Sequence, residues 1–170
     1  MRAALLAAAV ALAGCAGAAD LFSTQAPIQV REVARSLYCN SGGDDTRTQL
    51  LPDAQAVLDW QAARGIVLAG SESLAQAPYA VVEMGLRPTG GYSLAVATAA
   101  KLVGERVVLQ ATFFSPAPGS LRTQALSSPC VLVQLPAGRY AGVEVRDPAG
   151  AVRATGGLAP APRPSQEPVQ

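Results

Sequence analysis

Between Tyr92 and Val145 apolar side chains recur at every second residue, and no other feature constrains the fold as tightly. Tyr92, Leu94, Val96 and Thr98 share one face of an extended segment. Val107, Leu109, Ala111 and Phe113 share the next, Val131, Val133 and Leu135 a third, and Ala141, Val143 and Val145 a fourth. Successive Cβ atoms of a β-strand point to opposite faces, so a period of two marks strands with one face in a core. Punctuation falls between them. Gly104-Glu105 turns the chain back, Ser115 to Ser120 is a Pro/Gly loop, Ala137-Gly138 has the form of a two-residue hairpin turn, and Pro148-Ala149-Gly150 precedes a short strand at Val152. Upstream, Tyr79 to Gly85 reads as a strand. Ile28 to Tyr38 reads as the first strand, with a slip of phase near Arg31-Glu32, and the polar, Gly-rich stretch Asn40 to Thr48 as a loop.

One segment has a different period. From Pro52 to Arg64 the residues Ala54, Val57, Leu58 and Gln61 define one helical face, Pro52 or Asp53 starts the helix, Arg64 suits its C-terminal dipole, and Gly65 ends it. Trp60 on this helix is a core or helix-sheet contact. The expected fold is therefore mainly β: an antiparallel β-sandwich or open barrel of about seven strands with one α-helix at its side.

The N-terminus is of another kind. Met1-Arg2 is a short positive region, Ala3 to Ala13 an apolar run, and Leu12-Ala13-Gly14-Cys15 follows. The run is too short to span a bilayer, which takes about 20 apolar residues, and suits a signal peptide. The tetrad resembles the lipobox of bacterial lipoproteins, which implies that Cys15 takes a diacylglycerol. The alternative is an ordinary secretory signal cut near Ala16 to Ala19. Ala16 after the cysteine leans, by the same resemblance, toward the outer membrane. Several acyl chains, palmitate among them, anchor a protein with no spanning helix. The expected organisation is a signal peptide over 1–14, a lipidated tether over 15–27, a β-rich domain over 28–157, and a Pro-rich tail over 158–170. In that tail Pro160, Pro162, Pro164 and Pro168 leave nothing to build a core.

Composition excludes whole classes of function. Once Arg2 is removed from the thirteen basic residues, twelve remain against twelve acidic ones, so net charge offers no attraction for nucleic acid and no polybasic membrane patch. Histidine is absent, which removes the usual general base and the commonest metal ligand. Lys101 is the sole lysine and no Ser-x-x-Lys motif precedes it. We therefore expect no enzyme, no cofactor and no metal. Gly42-Gly43-Asp44-Asp45 is too poor in oxygen ligands for calcium and reads as a solvated loop. Two cysteines remain, Cys39 and Cys130, an even pair in an oxidising compartment that favours a disulfide over two buried thiols.

The most unusual string is Gly85-Leu86-Arg87-Pro88-Thr89-Gly90-Gly91-Tyr92-Ser93. Pro88 fixes φ, and the paired glycines permit positive φ or close backbone approach. Downstream come Ser115-Pro116-Ala117-Pro118-Gly119 and Thr123 to Pro129 before an apolar strand. In this order the elements resemble the C-terminal domain of PrcB-type protease-complex lipoproteins, over roughly Tyr79 to Leu135, with Gln55 to Trp60 fitting the preceding helix. The resemblance implies a lipoprotein that accompanies and stabilises a protease. Cys130 departs from the tyrosine that family commonly has. Arg-Pro-Thr-Gly-Gly-Tyr also looks like one loop of chagasin-type cysteine-protease inhibitors, although the initial Asn, the second Thr and any Arg-Pro-Trp loop are missing.

The function expected from all this is a non-catalytic lipoprotein of the bacterial cell envelope, on the outer membrane facing the periplasm, that binds or stabilises a partner protein such as a protease. A chagasin-like inhibitor and a structural envelope lipoprotein are the alternatives. The candidate site residues are Cys15 for lipid, Cys39 and Cys130 for the bridge, and Arg87, Pro88, Thr89, Gly90, Gly91 and Tyr92 for a partner-binding loop. Glycine and proline are the normal turn residues, so the first reading of that loop is a demanding turn with its tyrosine packed on the sheet, and the contact role is the alternative.

Overall fold

A computed structural model describes residues 25–158. The signal peptide, Cys15, the tether up to residue 24 and the tail from Ala159 lie outside the described residues. Ten strands and one helix follow in the order β1 (Gln25–Gln29), β2 (Arg31–Ser36), β3 (Arg47–Leu51), α1 (Ala54–Arg64), β4 (Tyr79–Glu83), β5 (Ser93–Val96), β6 (Ala99–Val103), β7 (Arg106–Phe114), β8 (Cys130–Gln134), β9 (Gly142–Arg146) and β10 (Val152–Gly157). The chain is mainly β, as its alternation predicts.

Two sheets stack face to face without closing into a barrel. The first is six-stranded in the order β1-β6-β7-β9-β10, with β5 pairing the far half of β7; the second is four-stranded in the order β2-β8-β4-β3. Every pairing between these strands is antiparallel except β7 with β9. The alternating residues do what their period requires. Leu94, Val107, Leu109, Ala111, Val143 and Val145 of the first sheet meet Ala80, Val82, Val131 and Val133 of the second in one core, with Tyr92, Val96 and Phe113 packed against its rim.

A second core lies on the outer face of the smaller sheet, where α1 packs. Tyr79, Val81 and Leu132 meet Val57 and Trp60 there. The sandwich therefore carries a third layer, and β4 is buried on both faces: Ala80 and Val82 point to one core, Tyr79 and Val81 to the other. Asp53 caps α1 by accepting from the Ala56 N–H at 2.8 Å, and Gly65 closes it in the left-handed region. Buried Gln61 accepts from the Leu68 and Ala69 N–H groups and donates to the Ala69 carbonyl, which fastens the following loop to the helix.

Several expectations need correction. The single first strand is two: the chain leaves the first sheet after Gln29 and joins the second at Arg31, with buried Val30 as the pivot. The slip of phase marks this change of sheet. Arg47–Leu51 is a strand although its first residues read as loop; its partner β4 supplies the ladder that a polar stretch cannot advertise. Ala137-Gly138 is not a hairpin turn, because β8 and β9 belong to different sheets and the chain crosses between layers there. The ordered body also begins earlier than 28 and runs past 157. Gln25, Ala26 and Pro27 pair with Val103, Leu102 and Lys101, and Leu158 bridges to Leu50. Exposed Gln25 to Pro27 carry no burial pattern that would reveal a strand.

The connectivity gathers loops at one end. Ser36, Glu83 and Arg47 are joined through Cys130 and the β3–β4 ladder at one end of the small sheet. The chain passes from that end of β4 into β5, whose Ser93 pairs with Phe114. The segments 37–46, 84–92 and 115–129 therefore lie together, opposite the Gly104-Glu105 turn and the 135–141 crossing.

Candidate functional site

The loop 87–92 sits in the middle of this end, and its backbone is strapped to the segment before β8. Arg87 and Ser127 exchange both backbone hydrogen bonds, at 2.7 and 2.9 Å, and the Gly90 N–H donates to the Thr123 carbonyl at 3.0 Å. The Ser127 hydroxyl donates to the Thr89 carbonyl at 3.0 Å. On the other side the Leu86 N–H donates to the Gly43 carbonyl at 2.7 Å. Gly85 has φ +86, and a Cβ there would lie 2.5 Å from the Asp44 carbonyl oxygen. Gly91 has φ +87 and faces Pro116, so this half of the glycine pair meets a positive φ. Gly90 meets a close approach instead, since a Cβ there would run into the Thr123 hydroxyl.

The candidate side chains divide. Arg87 is half-buried and turned inward: its guanidinium donates to the Met84 carbonyl and lies 5.9 Å from the Tyr92 ring centroid. It is not the exposed contact side chain that the sequence suggests. Tyr92 packs on the core, and Thr89 is half-buried. Only Pro88 and Gly91 of the six are exposed.

The apolar surface at this end comes from residues outside the motif. Leu37, Tyr38, Leu86, Phe114, Leu121 and Leu126 are all exposed, Leu121 completely. Bridges from Tyr38 to Ser128 and from Arg87 to Ser127 hold their segments side by side. Sequence reading passed over them, although isolated leucines in the polar stretch Ser120 to Ser128 are a visible signal.

Beneath this surface lies a buried polar node. Glu83 accepts from the Ser41 hydroxyl at 3.0 Å and from Arg64 at 3.1 Å, and the Arg64 guanidinium stands 4.3 Å from the Trp60 ring centroid. Asn40 donates to the Arg64 carbonyl at 2.8 Å. Cys39 and Cys130 are joined by a disulfide, with Cα atoms 6.0 Å apart. Bridge and node together fix the 40–46 loop that supports Gly85 and Leu86. Among the described residues no three His, Cys, Asp or Glu side chains come together as metal ligands. The acidic pair Asp44-Asp45 instead offers backbone carbonyls to the close approach of Gly85.

The family model described as PrcB C-terminal matches residues 78–136. That segment is similar to the PrcB C-terminal family. The matched segment runs from β4 through β8, so it contains the loop 87–92, the strap at Thr123 to Ser128 and four of the exposed apolar residues. Neither curated proteins nor solved structures give a match to the chain. Among the described residues no helix is long and apolar enough to cross a membrane, which leaves β-barrel spanning unaddressed.

Proposed function

We propose that this chain is a non-catalytic, lipid-anchored envelope protein that binds and stabilises a protease through the loop end of its sandwich. The observation that carries the reading is the set of exposed apolar side chains, Leu86, Phe114, Leu121 and Leu126, at one end of the sandwich, where Arg87–Ser127 and Gly90–Thr123 hydrogen bonds tie the loops of the matched segment together. Exposed apolar groups that neighbour one another mark contact surfaces, and scaffolded loops lose little entropy on binding. The loop 87–92 acts as the brace of that surface, with Pro88 and Gly91 at its rim.

The test uses the lipidated protein as bait on detergent-extracted envelope membranes. Wild type is expected to enrich a protease. A Leu86→Ser, Leu121→Ser, Leu126→Ser variant should recover at least about tenfold less, since tenfold is roughly what burial of a single leucine is worth, with an unchanged melting temperature. Equal recovery by both, or no protease in either eluate, overturns the proposal. Inhibition of a papain-type protease by the purified protein would favour the chagasin-like alternative.

A further inference from the structure

The face of the six-stranded sheet that points away from the sandwich core carries a groove of about 620 Å³ lined by Gln25, Lys101, Arg106, Val108, Glu144 and Arg146, among others. Strand register explains why these residues meet. Lys101 pairs with Val108, and Val108 with Glu144, so the three form one row across β6, β7 and β9. Arg106 stands on the row below, between Val103 and Gly142. Arg146 stands on the row above, beside Gln110. Ala141 lines the groove beside the long cationic side chains.

The charges in this groove are unequal. Glu144 is buried at 8 % exposure, and both arginines share it: Arg146 lies 2.6 Å from one carboxylate oxygen and Arg106 3.7 Å from the other. One carboxylate thus holds two guanidiniums half-exposed and facing outward. Lys101, the only lysine of the chain, is exposed and has no ion pair among the described residues. Glu105 lies in the exposed turn at the groove's end. Forked guanidiniums beside an ammonium make a site for the oxygens of a phosphate group.

Position selects the source of that phosphate. Gln25 lines the groove and follows Cys15 by ten residues, a leash of at most about 35 Å. The apolar loop end lies at the far end of β7, whose nine residues span about 30 Å. We propose that this groove is the membrane-facing site of the protein and binds the phosphate of an anionic phospholipid head group. The outer face of the six-stranded sheet then lies against the bilayer, with its strands along the membrane surface and the loop end projecting to one side. The choice of a lipid head group and the orientation rest on the lipid-anchored reading above, whereas the cationic groove itself does not.

The test therefore uses the mature chain from Ala16 onward, which lacks the lipid and keeps every described residue. It should sediment with phosphatidylglycerol vesicles at low salt and not with phosphatidylcholine vesicles. Lys101→Gln and Arg106→Gln should each lower the bound fraction about fivefold, as loss of one cation near an anionic surface predicts. Arg35→Gln, on the other sheet, should change nothing. Equal sedimentation with both vesicle types, or binding that survives the Lys101→Gln, Arg106→Gln pair with its melting temperature unchanged, overturns the proposal. So does titration with inorganic phosphate that detects binding sensitive to both substitutions while vesicles are ignored. That outcome assigns the groove to a free anion. Absence of lipid on Cys15 would appear in fractionation of the full chain and leaves this assay untouched.

Discussion

Arg87 and Tyr79 carry the sharpest consequences of single side chains. Arg87 donates to the Met84 carbonyl from a half-buried position, so Arg87→Ala leaves that acceptor unpaired. We expect a loss of about 1–2 kcal/mol, read as a lower melting temperature, where an exposed contact residue would cost nothing measurable. Tyr79 is fully buried and donates to the Ala75 carbonyl at 2.8 Å, and burial raises its phenol above the ordinary value of 10.0. The raised value means that the unfolded chain loses its proton first. Stability is therefore whole below the unfolded pKa of about 10 and falls as pH rises through the folded value. Tyr140, raised by burial too, shares this loss. Tyr79→Phe should cost about 1 kcal/mol at neutral pH and make the alkaline decline in denaturation midpoint shallower. A decline as steep as wild type would contradict the assignment.

Loops and the bridge set the behaviour of the elements. The Cys39–Cys130 disulfide closes 91 residues and ties the end of β2 to the start of β8. In the chain-entropy account such a loop is worth about 4–5 kcal/mol. Intact-mass alkylation of the unreduced protein should find neither thiol free, and the Cys39→Ala, Cys130→Ala pair should unfold at markedly lower denaturant. The bridge also holds the 40–46 loop against Gly85. Gly85→Ala would drive a Cβ into the Asp44 carbonyl and needs a backbone shift there, so it should destabilise by more than the 0.4–1 kcal/mol an Ala ordinarily gains at a compatible glycine, roughly 1–3 kcal/mol in the other direction. Unchanged stability in that variant would mean that the lap of the 40–46 loop is dispensable.

For the whole molecule the decisive residue is Cys15. Cys15→Ser should give an unprocessed or soluble precursor, and a variant that still fractionates with membranes like wild type would remove the lipid anchor. An anchored molecule presents two distinct surfaces, a groove on the outer face of the six-stranded sheet near Gln25 and an apolar surface at the loop end around Leu121. The segment 78–136 contributes to both: Lys101, Arg106 and Val108 to the groove, and Leu86, Phe114, Leu121 and Leu126 to the apolar surface.

Much of this was legible in one dimension. Period two from Tyr92 to Val145 determined the strands and which of their faces is buried, because a pleated strand alternates its side chains whatever it pairs with. Caps at Asp53 and Gly65 bounded the helix for equally local reasons, and the spaced Gly, Pro and Tyr motif pointed to the segment that the family model matches. Partners were not legible. Nothing local to Ala137-Gly138 tells a hairpin from a crossing between sheets, and nothing in Arg47 to Leu51 announces the ladder that β4 provides. The inward turn of Arg87 depends on the Met84 carbonyl and the Tyr92 ring, which only the closed loop brings together. Lys101, Arg106, Glu144 and Arg146 read as scattered surface charge until register aligns β6, β7 and β9. Side-chain period is a property of the chain itself, whereas pairing, crossing and the meeting of distant charges are settled by long-range contacts that the folded sandwich alone supplies.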